Sequence, residues 1–157
     1  MKNSFKTGLC FGLTSATITT LGLIVGLNSG THSKEVVISG ILTIAIADAF
    51  SDSLGIHLAE ESKKNDKKAV WESMIATFIS KFLFALTFLV PALFLELQSA
   101  VIASIAWGML ILGVLSYIIA RSNKENPVMV IGEHWLIAII VIIITNFVGT
   151  LISRLFS

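Results

Sequence analysis

Two aspartates stand four residues apart in an apolar part of the sequence. Asp48 and Asp52 lie within Val36–Leu58, a segment built mainly from Ile, Leu, Val, Ala, Gly, Ser and Phe. Because residues i and i+4 share one face of an α-helix, both carboxylates would project the same way. A charged side chain at the bilayer centre costs roughly 2.5–3.5 kcal/mol on insertion scales, so such residues usually face a bundle interior or an ion pathway. The pair is therefore the leading candidate for a metal-cation site.

The composition is that of a membrane protein. Of 157 residues, 55% are hydrophobic and 13% are charged, an apolar share above that of ordinary soluble domains. The net charge is +1 and basic residues are not interleaved with aromatic ones, so no nucleic-acid partner is expected. Cys10 is the single cysteine, which excludes a disulfide within the chain.

Five apolar segments reach the length of about 20 residues that a membrane-spanning helix needs. They predict an all-α, polytopic membrane protein in which residues 1–157 form one domain in the lipid bilayer. The predicted transmembrane helices are about 7–27, 36–58, 74–95, 100–120 and 135–156. The connections, including Ala59–Ser73, are short and polar, so no soluble domain is expected between the helices.

Basic residues are unevenly distributed between the helix ends. If the N-terminus is cytoplasmic, only Lys34 and Arg154 fall on the far side, and the cytoplasmic side collects Lys2, Lys6, Lys63, Lys64, Lys67, Lys68, Arg121 and Lys124. The positive-inside rule therefore predicts a cytoplasmic N-terminus and a C-terminus on the far side. Glu60 and Glu61 then lie at the cytoplasmic mouth, either as cation-entry residues or as part of a solvated charge cluster.

Lys81 is a second charged residue within a predicted helix. It lies about eight residues into the third helix, at a rise of 1.5 Å per residue, and so near the depth of Asp52 on an antiparallel neighbour. An ion pair between them could be a fixed salt bridge, a proton-linked switch, or a tethered cation in the place of a metal. The aspartates could also simply lock helices together by bonding neighbouring Ser, Thr or Lys groups.

Other polar residues are weaker candidates for the site. His57 falls on the helix face opposite Asp48 and is predicted to be an interfacial residue, and Asn146 is predicted to join helices. The hydroxyls of the first helix either line a pathway or bond carbonyls of their own helix; they are Thr14, Ser15, Thr17, Thr19 and Thr20.

Glycines recur at four-residue spacing on the first helix. Gly8 with Gly12, and Gly22 with Gly26, form small-xxx-small repeats, which let helix backbones approach closely. They predict helix packing or a homodimer through the first helix.

The second helix resembles a known family. The run Ala47–Gly55, with Leu58 and Ser62 after it, is similar to the A-D-G-F-S-M-x-L-G signature of the vacuolar iron transporter family. Weaker similarity extends to the first helix, from Gly12, and to Thr145 and Gly149 in the last helix. The resemblance implies a five-helix protomer, a dimer, and proton-coupled export of ferrous iron or manganese from the cytosol.

The chain departs from this family pattern at three places. Phe11 stands where the family has an aspartate, and Asp52 stands where it has a methionine. The family's long, Glu-rich cytoplasmic segment between helices two and three is missing. Replacing a thioether by a carboxylate makes the site harder, which suits Mg, Ca or Mn better than softer metals.

Three classes of function follow. The leading one is a proton-coupled transporter of divalent cations, with the cation as substrate and no resident cofactor. The second is a non-transporting membrane scaffold or accessory subunit, which the missing segment and Lys81 favour. A membrane enzyme is the weakest, because Ile44 stands where the D-x-x-x-D phosphatidyl-alcohol transferases have glycine. The membrane is a cell membrane in a prokaryote or a vacuolar-type membrane in a eukaryote.

Overall fold

The computed structural model describes the backbone of residues 2–156 and the side chains of residues 4–156. This part of the chain is helical and contains no strand. The helices are α1 Lys2–Thr31, α2 Lys34–Ser62, α3 Lys67–Thr87, α4 Leu89–Phe94, α5 Leu97–Asn123 and α6 Pro127–Phe156. Five helical stretches are long and apolar enough to cross a membrane, with α3 and α4 together forming the third. The predicted all-α, five-helix membrane architecture is confirmed.

The helices predicted from apolar runs were too short. The segment Ala59–Ser73 was predicted to be a connection, but α2 continues to Ser62 and α3 begins at Lys67. The predicted helices 7–27, 36–58, 100–120 and 135–156 are all longer in the structure. Apolar residues mark the part of a helix that fits the bilayer, whereas the backbone hydrogen bonds continue through polar helix formers such as Glu60 and Glu61.

The third membrane-spanning stretch is interrupted. The helix predicted at 74–95 divides at Phe88, whose N–H bonds the Ala85 carbonyl at 3.2 Å. Pro91 explains the break, since proline has no N–H to donate to the carbonyl of Thr87, four residues before it. The indole of Trp107 on α5 donates to the Thr87 hydroxyl at 3.0 Å. The break is thereby tied to the neighbouring helix.

α1 is the central helix of the bundle. It contacts α2, α3, α5 and α6, and its side chains take part in the buried apolar core with residues of α2, α3, α4 and α5. The buried members are Ala16, Leu21, Ile24, Val25, Val37, Ile41, Phe84, Phe88, Ala92 and Val101.

The glycines of α1 are used for packing within the chain. A Cβ atom on Gly8 would lie 2.2 Å from the Ser73 carbonyl oxygen, and one on Gly12 would lie 2.1 Å from Ser80 Oγ. On the α6 side, a Cβ on Gly149 would lie 2.3 Å from the Gly26 carbonyl oxygen. These repeats therefore bring α1 against α3 and α6, and they give no support to a dimer through α1.

Lysines fasten both ends of the bundle. Lys6 Nζ donates to Ser122 Oγ at 2.6 Å, which joins the start of α1 to the end of α5. At the opposite end, Lys34 Nζ donates to the carbonyls of Leu93 and Leu95 at 3.1 and 2.8 Å. The basic residues assigned to the cytoplasm thus share one end of the bundle, while the orientation of that end in a membrane stays a prediction.

We expect Gly8→Ala to destabilise the protein, because the new methyl group would meet a backbone carbonyl that cannot rotate away. Overpacking of this kind costs about 1–3 kcal/mol. Gly55→Ala is the matched control, since a Cβ there meets no atom within 4 Å and alanine favours the helix. Unfolding in mixed micelles measures both. Equal stability of the two variants would show that α1 and α3 are not so closely packed.

Candidate functional site

Charged residues from two helices meet at half the height of the bundle. Asp48 is the central residue of α2, and Lys81 lies at the centre of the stretch formed by α3 and α4. Ser15 lies near the centre of α1. If the helices span a bilayer, all of these residues are far from both aqueous faces.

Lys81 is enclosed by oxygen atoms. Its Nζ lies 2.6 Å from Asp48 Oδ2, contacts Asp52 Oδ2, and donates to Ser15 Oγ at 2.8 Å. Ser15 in turn donates its hydroxyl hydrogen to Asp52 Oδ2 at 2.5 Å. An ammonium group has three donors and no acceptor. Ser15 and Asp52 accept hydrogen bonds from it, while Asp48 Oδ2 is an ionic contact. Ser15 thus accepts one hydrogen bond from Lys81 and donates another to the Asp52 carboxylate.

Burial and charge explain why these residues occur together. The Lys81 side chain is 1% exposed, whereas those of Asp48 and Asp52 are 23% and 21% exposed. Removing an ammonium from water costs several kcal/mol unless opposite charge and hydrogen bonds replace the water. Two carboxylates do so and leave the group with one net negative charge when all three residues are ionised.

The predicted proximity of Lys81 and Asp52 is confirmed. The ammonium stands between the two carboxylates, which is the place where a metal ion bound by both would stand. Its role as a fixed salt bridge, a proton-linked switch or a tethered cation stays a prediction with three alternatives.

Ser15 has no local signal in the sequence that marks it as part of this group. It was one of five hydroxyl residues on α1, and only the orientation of α1 towards α2 and α3 distinguishes it. Thr17 and Thr19 donate to the carbonyls of Leu13 and Ser15 at 2.8 and 2.9 Å, which is the local bonding considered as the alternative. The Thr20 hydroxyl is buried and has no hydrogen-bond partner within the described residues.

Glu60 and Glu61 do not join this group. Glu60 forms an ion pair with Lys63 at 2.8 Å and accepts a hydrogen bond from Asn65 at 2.7 Å, and Glu61 is exposed. At 1.5 Å per residue, Glu60 lies about 12 Å along α2 from Asp52. These contacts fit the charge-cluster alternative for Glu60, and an entry role for either glutamate stays a prediction.

Two further polar residues serve helix contacts. The His57 ring lies edge-on to Trp71 of α3, with centroids 5.2 Å apart. Asn146 Oδ1 accepts a hydrogen bond from Ser29 Oγ at 2.5 Å, which joins α6 to α1 as predicted.

The carboxylates alone form an incomplete metal site. Within the described residues, no group of three or more His, Cys, Asp or Glu side chains is placed to hold a metal ion. Divalent cations such as Ca²⁺ and Mg²⁺ take six or more oxygen ligands. Asp48, Asp52 and Ser15 could supply some of them only after Lys81 moves, and water would have to supply others.

Comparison with known proteins adds no relative, since no protein-family model, curated protein or solved structure matches the chain. The resemblance to the vacuolar iron transporters therefore rests on residues of this sequence, chiefly those of the second helix.

Removing either partner of the Lys81–Asp52 pair should destabilise the protein. We expect Asp52→Asn to cost up to about 3–5 kcal/mol, because it leaves the buried Lys81 ammonium with less compensation, and Lys81→Met to cost less, because the aspartates that it leaves are partly exposed. The double variant should recover part of this loss, as expected for residues in direct contact. Lys64→Met, at an exposed position, is the control. Additive losses in equilibrium unfolding would contradict the contact.

Proposed function

We propose that the protein is a proton-coupled transporter of divalent cations of the iron or manganese class, which exports them from the cytosol. The observation that carries the proposal is a pair of carboxylates halfway along a membrane-spanning helix, with one net negative charge after Lys81 is counted. Intramembrane ionisable residues commonly mark ion pathways. The resemblance of Ala47–Gly55 to the vacuolar iron transporter signature supports the same class of substrate.

The charges suggest why transport would be coupled to protons. A divalent cation added to two carboxylates and a lysine ammonium would leave one net positive charge in an apolar environment, which is unfavourable. If Lys81 gives its proton to solvent on the side from which the cation binds, that excess charge is avoided. Return of the ammonium would then help to expel the cation on the other side.

The ligand atoms suggest a preference among metals. The available side-chain oxygens come from Asp48, Asp52 and Ser15, and such oxygen sites suit Mn²⁺, Mg²⁺ and Ca²⁺. We therefore expect manganese to be moved at least as well as ferrous iron.

A second candidate function is a non-transporting scaffold or accessory subunit. Lys81 favours it, because the ammonium already has three oxygen partners and needs no metal to compensate the carboxylates. Enzymatic activity is not expected.

We also propose that two copies associate, as the family resemblance implies. An interface through α1 stays a prediction; its glycines contact α3 and α6 within the same chain, so other residues of α1 would have to form it.

Transport can be tested in proteoliposomes that contain a metal-sensitive dye. Under an imposed pH gradient, manganese and ferrous iron should enter faster than into empty liposomes, and calcium and magnesium test selectivity. Asp48→Asn and Asp52→Asn should each lower the transport rate about tenfold or more. A lost charge contact that raises the barrier to transport by about 1.4 kcal/mol already slows it tenfold. Glu125→Gln, in the turn before α6, should transport normally. Flux no greater than in empty liposomes would contradict the proposal and favour the scaffold.

A further inference from the structure

The two aspartates differ in how they are bonded. Asp52 Oδ2 accepts hydrogen bonds from both Ser15 and Lys81. Asp48 Oδ2 lies 2.6 Å from Lys81 Nζ, yet within the described residues it has no partner with hydrogen-bond geometry. Their exposed fractions are nearly equal, at 23% and 21%. The difference therefore lies in directed bonds, which hold Asp52 and leave Asp48 with a contact between charges.

A groove between α1 and α2 leads to Asp48. Its volume is about 560 Å³, and its lining on α2 begins at Val36 and continues through Asp48 to Ser51. This part of α2 is about 22 Å long at 1.5 Å per residue, so the groove extends from near the Lys34 end to the middle of the bundle. Asp52 is not among its lining residues.

The groove has oxygen atoms along its length. Ser39, Thr43 and Ser51 line it on α2, opposite Leu23 and Leu27 of α1. Ser39 and Thr43 donate their hydroxyl hydrogens to the carbonyls of Val36 and Ser39. A hydroxyl that donates in this way retains oxygen lone pairs for water or a cation.

We propose that the two aspartates have different tasks: Asp48 contacts the transported cation, for which this groove is the route between Asp48 and the Lys34 end, and Asp52 is a positioning residue that holds the Lys81 ammonium. The inference deepens the proposed function and rests on it for the identity of the cation. The different roles of the two aspartates are visible in the protein without a bound cation, so they can be tested separately.

The proposal predicts how the three charged residues depend on one another. Without the Asp52 carboxylate, the Lys81 ammonium has only Asp48 as its ionic partner. It would then occupy the Asp48 carboxylate and keep the cation from binding there. Removing Lys81 as well would release Asp48. Removing Asp48 deletes the group that meets the cation, so no change at Lys81 can compensate.

Manganese binding to the purified full-length protein, followed by electron paramagnetic resonance, tests this dependence. Asp48→Asn and Asp52→Asn should each weaken binding about tenfold or more, and Asp52→Asn with Lys81→Met should restore most of the lost affinity, as a coupled pair requires. Asp48→Asn with Lys81→Met should stay weak. Equal binding by the two double variants, or recovery only in the variant that lacks Asp48, would overturn the proposal.

Equilibrium unfolding in the absence of a cation tests the different roles of Asp48 and Asp52. Asp52→Asn should lower the unfolding midpoint more than Asp48→Asn, because it alone removes the negative charge from an oxygen that accepts directed hydrogen bonds from Ser15 and Lys81, and hydrogen bonds to a neutral acceptor are weaker. An equal or reversed order would overturn the proposal. If the wild-type protein binds no manganese, the proposed metal specificity fails, and this comparison still decides the roles of the two aspartates.

The groove can be tested by thiol labelling in a Cys10→Ser background. We expect Thr43→Cys to react with a charged, membrane-impermeant thiol reagent added from the Lys34 side. Leu42→Cys, the exposed neighbouring position outside the groove lining, should react at least tenfold more slowly if it faces lipid, a difference in barrier of about 1.4 kcal/mol. Equal reactivity at the two positions, or none at Thr43→Cys, would contradict an aqueous route to Asp48.

Discussion

The ammonium group of Lys81 imposes the main constraint on this bundle. Its side chain is 1% exposed, and a buried cation of this kind is tolerated only when nearby carboxylates and hydrogen-bond acceptors replace its water shell. Asp48 and Asp52 on α2 and Ser15 on α1 supply those oxygens. Three helices are consequently held in one arrangement at half their height.

Close helix packing makes these contacts reachable. Gly12 allows α1 to approach α3 at Ser80, the residue beside Lys81, and Ser15 follows Gly12 by less than one turn. Small residues at a helix interface permit such approach because no Cβ separates the backbones. Gly12 therefore serves the charged group as well as the packing, and the chemistry of the site depends on the architecture around it.

The helices and the charged residues could be predicted from the sequence, since each has a local signal. Apolar runs located five membrane-spanning stretches, the four-residue spacing placed Asp48 and Asp52 on one face, and residue counting brought Lys81 to the depth of Asp52. The helix ends were misplaced because hydropathy does not report where hydrogen bonding stops. Ser15, the use of the α1 glycines and the groove to Asp48 depend on how helices rotate against one another, which no local pattern records.

The central claim is that Lys81, in the resting protein, is an ammonium bound between the two aspartates. Solid-state NMR of the protein in lipid can measure the dipolar coupling between ¹⁵N-labelled lysine Nζ and ¹³C-labelled aspartate carboxyl groups. We predict a strongly coupled lysine signal at an ammonium chemical shift, which Lys81→Met removes and Asp52→Asn weakens. A lysine coupling that survives Lys81→Met unchanged, or no coupled lysine other than exposed ones, would contradict this arrangement.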